Sequence, residues 1–458
     1  MVLLAHSFFL RRDAKQLERL KPYPPLTTLL AAAMLREARH PVDLFDATFQ
    51  EDASAFAGML DRLNPSVLLL IEDNFNFLTK MCTESRREDA LAMIAAARLR
   101  GWRVAVNSPD AIDHPQLYLD AGACAVLTGE GEFSANAVVQ ALQQGDSLVQ
   151  VPGLILENLQ RTPAQLSRAD LDALPLPAWD LIDADAYREA WVGAHGYFSW
   201  NVAASRGCPY SCNWCAKPTF GRRYSQRSAA SVAEEMRRLK DEVAPDHIWF
   251  ADDIFGMTAE WIGEFAHEIR RQEAIIPFTI QSRVNLISEP VARELRAAGA
   301  REVWLGVESG SQRVLDAMDK GSYVDTARVA TRNLKRAGIR ACWFLQLGYP
   351  PEDWDDIVLT RDLVREERPE EIGVSVAYPL PGTVFYERLA ADLGAQRNWR
   401  DTDELAMLFN GAFTTPFYRK VRDALHLDVE LRRTDQACWA DLATQAESQR
   451  HSPGRLRA

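Results

Sequence analysis

Along residues 1 to 145 the apolar positions switch between two periods. Residues 2–8 form an apolar run of strand type. Residues 25–38 follow with Leu26, Leu29, Leu30, Ala33 and Met34 on one helical stripe, behind a proline suited to a first helical turn. Further strands are predicted at 42–46, 66–71, 103–106 and 123–128, with helices at 53–63, 89–99 and 133–142. The strand at 66–71 is of the type buried on both faces. Such alternation predicts a parallel sheet covered by helices, a Rossmann-like domain over 1–145.

The proline-rich stretch Leu171-Asp-Ala-Leu-Pro-Leu-Pro-Ala-Trp179 breaks the alternation, and 146–194 reads as a linker. From 195 to 395 the pattern resumes, with strands predicted at 198–204, 247–251, 278–283, 302–307, 342–347 and 373–378. The helices between and after them fall at 231–241, 258–272, 291–298, 312–318 joined to 326–337, 354–365 and 384–393. Six β/α units predict a partial (β/α)6 barrel of TIM type, in which chemistry sits at the C-terminal ends of the strands. Residues 396–445 read as a small helical C-terminal extension, and the polar tail 446–458 as disordered. The fold class is α/β.

Composition changes this picture little. Hydrophobic residues make up 47% and charged residues 25%, the values of an ordinary globular protein. No apolar run approaches the roughly 18 residues of a membrane span, so no stable membrane insertion is expected. The apolar start lacks basic residues ahead of it and a small-residue cleavage site, and reads as a strand. The net charge of -12 disfavours nucleic acid as the main partner. There are seven cysteines, an odd number, and without an export signal they suit a reducing cytoplasm. Cys124 and Cys342 lie in apolar strand-like runs and read as core residues, and Cys82 and Cys438 stand far from the rest.

The remaining three are Cys208, Cys212 and Cys215, in the run Arg206-Gly-Cys-Pro-Tyr-Ser-Cys-Asn-Trp-Cys215 directly after the first predicted barrel strand. Three thiolates on one short loop can hold three corners of a [4Fe-4S] cluster and leave the fourth iron open. A structural or electron-transfer cluster takes four cysteines. An open iron implies a coordinating small molecule, by the logic that separates catalytic from structural metal sites. The alternatives are a zinc site, for which a second ligand pair is missing, and three unrelated thiols.

The C-x3-C-x2-C spacing, the Gly207-Cys208-Pro209 lead-in and Trp214 ahead of the last cysteine resemble the radical S-adenosylmethionine (SAM) superfamily. The resemblance implies that SAM chelates the open iron through its amino and carboxylate groups, with Trp214 among its contacts. One electron from the cluster then cleaves SAM to methionine and a 5'-deoxyadenosyl radical. A flavodoxin- or ferredoxin-type donor would supply that electron.

Other strand ends should then hold SAM. Asp252-Asp253 reads either as a helix N-terminal charge pair or as a contact to the SAM amino group or the substrate. Arg283 could fork onto the SAM carboxylate or be a solvated strand end. The string Gly306-Val-Glu-Ser-Gly-Ser311 resembles the family's fourth-strand motif, which assigns Glu308 and Ser309 to ribose and methionine groups. Gln346 and the Gly348 backbone would face ribose or adenine. Tyr378-Pro-Leu-Pro-Gly-Thr383 resembles a loop of cobalamin-linked members and would shape the adenine or substrate wall.

Lys21-Pro-Tyr-Pro-Pro-Leu26 and Gly129-Glu-Gly-Glu132 give the N-terminal domain its resemblance to the cobalamin-binding class of these enzymes. That resemblance implies cobalamin contacts from Tyr23, Asn74, Phe75, Asn107, Ser108, Gly129, Glu130 and Gly131, with the loop 72–77 beneath the corrin ring. Two departures stand against it. The Asp-x-His-x-x-Gly signature of histidine ligation is absent, His6 being the only histidine near the first strand. Asn107-Ser108 replaces a Gly-Gly pair that lets backbone approach a cofactor. The alternative is a cofactor-free domain that positions substrate. Phe75, Phe77, Tyr378 and Phe385 could wall a substrate pocket or be core.

The expected function is a cobalamin-dependent radical SAM methyltransferase acting on an unactivated carbon of a small molecule. One SAM would methylate cobalt and a second would yield the radical that activates the substrate. The rivals are a radical SAM cyclase or oxidase, and a non-catalytic cluster or corrinoid sensor. A tRNA methylthiotransferase is disfavoured by the acidic charge and the lack of a basic C-terminal module.

Overall fold

The computed structural model describes the chain except residues 77, 78, 80, 82, 166–169, 216–222, 394–397, 403–405, 433, 434 and 451–458. Cys82, Phe77 and the tail from 451 therefore lie outside the described residues.

The first sheet has the order β2-β1-β3-β4-β5-β6. Its strands are β1 (Val2–Ala5), β2 (Val42–Phe45), β3 (Val67–Ile71), β4 (Arg103–Asn107), β5 (Ala125–Leu127) and β6 (Leu154–Ile155). β1 to β5 are parallel and β6 pairs antiparallel with β5. Val67–Ile71 is buried throughout, as a central strand covered on both faces must be. Alternate residues of these strands feed two apolar clusters, one on each face of the sheet. The chain order reverses between β1 and β3, so the crevice for a ligand lies past their C-terminal ends.

The second sheet runs β14-β13-β12-β11-β10-β7, all parallel. Its strands are β7 (Ser199–Val202), β10 (His247–Phe250), β11 (Phe278–Ser282), β12 (Ala300–Glu308), β13 (Arg340–Leu347) and β14 (Glu371–Val376). Six parallel strands in sequence order, each followed by a helix, form the open barrel. A short hairpin of β8 (Ser205–Arg206) and β9 (Ser225–Gln226) stands between β7 and β10. β12 bulges near its end, between Gly306 and Glu308, and Glu308 takes a positive φ of 65°.

Three expectations need correction. The 146–194 stretch is more than a linker: it supplies β6 and the helix Ala184–His195, whose Tyr187 and Trp191 are buried. The two-residue β6 is too short for a periodicity to reveal. The C-terminal extension holds the helices Thr415–Glu430 and Gln436–Arg450, so helix continues through 446–450. Cys342 is buried as expected, but Cys124 precedes its strand and is only half-buried.

Candidate active site

The three cysteines follow β8, are half-buried and form no disulfide among the described residues. Backbone and side-chain bonds hold their loop against the barrel mouth. Asn213 donates its amide N–H to the Met318 carbonyl (3.1 Å), and its own carbonyl accepts from Phe385 N–H (3.0 Å). Its side chain donates to the Ala317 carbonyl and Asp319 (both 2.8 Å) and accepts from the Tyr349 hydroxyl (2.6 Å). Asn213 is buried, and these bonds tie the loop to three later segments.

Arg283 is buried and is no solvated strand end. Its Nη1 donates to Cys212 Sγ (3.3 Å), Nη2 to the Lys320 carbonyl and Nε to Asn285 Oδ1 (3.2 Å), and its guanidinium lies 3.7 Å from the Tyr210 ring centroid. Each guanidinium nitrogen donates to the cluster loop or its neighbours.

Asp252 is no helix-start charge, since the next helix begins at Ala259. It is buried and accepts from Ser205 Oγ and from Ala204 N–H (3.0 Å), fixing the chain as it enters the cysteine loop. Burial pushes its carboxyl up to about 7. Glu308 pairs with buried Lys320 at 2.7 Å, and the pair fills the space over Gly306, where a Cβ would meet Lys320 Nζ at 2.8 Å. Ser309 is buried and bonded to Thr360 (3.3 Å) and Ser311 N–H (3.1 Å), so it braces the turn behind Glu308. Gly348 N–H donates to Glu352 (2.5 Å), a buried carboxyl pushed up to about 8 by desolvation.

Among the described residues Gln346 Oε1 and Trp214 Nε1 are buried without a hydrogen-bond partner, as is the second oxygen of Glu352. Buried polar groups are almost always paired. An acceptor at the end of β13 and a donor inside the cysteine loop therefore mark places for a polar ligand. With three half-buried thiols on one loop, the donor set fits a three-cysteine cluster with a small molecule beside it.

The sheet edge differs. Asn107 donates to the Leu127 carbonyl (2.9 Å) and the Gly129 carbonyl (3.2 Å), and accepts from Asn74 (2.9 Å). Ser108 caps the next helix through Ala111 N–H. Both N–H groups of the Asn107 amide are thus committed to carbonyls, while Ser108 Oγ acts as an acceptor. Gly131 sits so close that a Cβ would meet Asn107 Cγ at 2.5 Å. Glu130 and Glu132 both grip Arg206, two residues before Cys208, with Glu132 at 2.6 Å. Tyr23 bonds Ser199 (3.0 Å) at the N-terminal end of β7. His6 is held by Asp46 (2.9 Å), which also accepts from Tyr187 (2.9 Å). Among the described residues, Asn74 Oδ1 and Arg86 Nη1 remain at the edge buried without a hydrogen-bond partner, and Gly129 has open space where a Cβ would stand. These suit a polar ligand lying close to backbone.

The expected aromatic wall is divided. Phe75 packs with Leu26 and Ala251, Phe385 with Tyr349 and Phe409, and Tyr378 against Trp399 at 4.1 Å. Sequence reasoning passed over Arg206, Asn213 and Lys320. Arg206 and Asn213 stand within the motif run, which is the signal the sequence carries for them, whereas nothing near Lys320 signals its burial.

Residues 202–364 match the Radical SAM superfamily profile. An uncharacterized methyltransferase of Pyrococcus horikoshii is 28% identical over 387 residues, 82% of this chain and 81% of that protein. The hopanoid C-3 methylase of Methylococcus capsulatus is 27% identical over 373 residues, 78% of this chain and 67% of its own. The radical SAM methyltransferase TsrM of Kitasatospora setae, solved with cobalamin and a [4Fe-4S] cluster, shares the fold with a TM-score of 0.70 at 19% identity, covering 85% of this chain and 74% of its own. The profile spans the strands and helices that carry the cysteine loop, so the chain is an enzyme that is similar to the radical SAM superfamily over residues 202–364.

Proposed function

We propose that this chain is a cobalamin-dependent radical SAM methyltransferase that methylates an unactivated carbon of a small molecule. The observation that carries the reading is the cysteine loop at the barrel mouth, with the orphaned buried Gln346 Oε1 and Trp214 Nε1 around it. Similarity to methylases across both domains supports the transfer chemistry.

A [4Fe-4S] cluster on Cys208, Cys212 and Cys215 would supply the low-potential electron that cleaves SAM, and a corrinoid at the first sheet would carry the methyl group. The chain's own residues bind and orient. Trp214 Nε1 donates to SAM and Gln346 Oε1 accepts from it. Lys320 and Glu308 are the charged pair that can separate to meet a carboxylate and a hydroxyl. Asn74 Oδ1 accepts from an amide of the corrinoid, and Gly129 lets it approach backbone. A flavodoxin- or ferredoxin-type protein serves as donor, in the cytoplasm. No helix among the described residues is long and apolar enough to cross a membrane.

Replacing any of Cys208, Cys212 or Cys215 by Ala should abolish 5'-deoxyadenosine formation under strong reductant, and undiminished formation would sink the assignment. Corrinoid content of anaerobically purified protein tests the first domain. Near one equivalent, a product heavier by CH2 and release of S-adenosylhomocysteine are expected. Deoxyadenosine without methylated product would make the enzyme a radical cyclase or oxidase instead.

A further inference from the structure

We infer that Arg283 is a positioning residue for the cluster loop and sets the reduction potential of the cluster through Cys212. The inference rests on the three-cysteine cluster proposed above. It departs from the SAM-carboxylate role that the position of Arg283 at a strand end suggests.

Four contacts carry it. Arg283 Nη1 lies 3.3 Å from Cys212 Sγ, within reach of a charge-assisted N–H···S bond. The guanidinium stacks 3.7 Å from the centroid of Tyr210, which lies in the same loop. Nε donates to Asn285 Oδ1 (3.2 Å), and Asn285 Nδ2 reaches the Tyr210 hydroxyl (3.2 Å), closing a ring around the loop. Nη2 donates to the Lys320 carbonyl, fastening the side chain to the segment that also carries the partner of Glu308. Arg283 is buried, so its charge is weakly screened.

A hydrogen bond and a positive charge at a ligating sulfur stabilise the extra electron of a reduced cluster, and such outer contacts set iron–sulfur potentials. The planar fork does this in one fixed orientation. A lysine keeps the charge and loses the fork and the stack.

The test is a redox titration of the reconstituted cluster, followed by EPR, in wild type, Arg283→Gln and Arg283→Lys, first without SAM. A parallel measurement gives SAM affinity. The expected result is a midpoint potential shifted to more negative values in Arg283→Gln, a smaller shift of the same sign in Arg283→Lys, and altered g-values in both. SAM affinity should change less than threefold. An unchanged SAM-free potential together with SAM affinity weakened tenfold or more would overturn the inference and return Arg283 to the SAM carboxylate. If Arg283→Gln fails to hold iron, Arg283→Lys decides alone: a wild-type potential and spectrum there also overturn it. Failure of wild type to assemble a [4Fe-4S] cluster would instead sink the proposed function, a distinguishable outcome.

Discussion

The mouth of the barrel and the C-terminal edge of the first sheet obey the same topological rule, yet their polar groups behave oppositely. At the barrel mouth three thiols stand on one loop with no disulfide, and among the described residues Gln346 and Trp214 each keep a buried polar atom without a hydrogen-bond partner. At the sheet edge most polar side chains bind one another: Asn74 with Asn107, Arg86 with Glu72, His6 with Asp46 and Tyr187, and Arg87 with Asp110. One end retains chemical capacity. The other is a braced platform with a small open patch at Gly129 and Asn74. The difference teaches that strand topology marks where a ligand can lie, while the balance of paired and unpaired groups marks what the protein itself contributes.

The two regions meet at Arg206, so the strongest way to break the contrast is there. Arg206 is 5% exposed and clamped by Glu130 and Glu132, with Phe75 and Phe133 rings over its guanidinium. Arg206→Met leaves two buried carboxylates without their cation. It should destabilise the protein by about 3–5 kcal/mol, read by urea denaturation. Loss below about 1 kcal/mol would mean the platform and the loop are held together elsewhere.

Asp252 sharpens the comparison from the barrel side. Its carboxyl is raised from 3.8 to about 7 by burial, so between those values the folded chain holds a proton that the unfolded chain has released. Its contribution to stability therefore falls as pH rises from about 4 to about 7, by an amount on the order of a few kcal/mol, and is flat above. Asp252→Asn mimics the protonated form. It should flatten the loss of melting temperature between pH 5 and pH 8, and an identical pH dependence in both proteins would refute this.

Asn107 probes the platform with the smallest effect. Asn107→Ala leaves the Leu127 and Gly129 carbonyls and the Asn74 amide short of partners, costing about 1–3 kcal/mol. Corrinoid bound per folded chain should stay within twofold of wild type. A collapse of corrinoid content at unchanged stability would make Asn107 a ligand contact and erase the distinction drawn above.

These contrasts explain what was legible beforehand. The alternation of strands and helices was readable because each strand needs an apolar run and each helix an apolar stripe, and the cysteine spacing lies within one short loop. Roles at strand ends were not, because they depend on long-range partners. Arg283 finds Cys212 across 71 positions and Asp252 finds Ser205 across 47. Asn107 looked like an obstruction to a cofactor from its neighbours in sequence, yet its donors go to carbonyls 20 and 22 residues away. A lone polar residue carries no mark of such a partner.

Glu308 holds a conformation its own backbone disfavours, with φ of 65° at the strand bulge. A β-carbon in that left-handed region costs roughly 1–2 kcal/mol, and glycine or asparagine would sit there more easily. Relief of that strain in Glu308→Gly is outweighed by the buried Lys320 left without its carboxylate, a loss of about 3–5 kcal/mol. A library screened for heat tolerance should therefore keep Glu308 as firmly as one screened for turnover, so durability and catalysis pull the same way at this one strained position of the barrel.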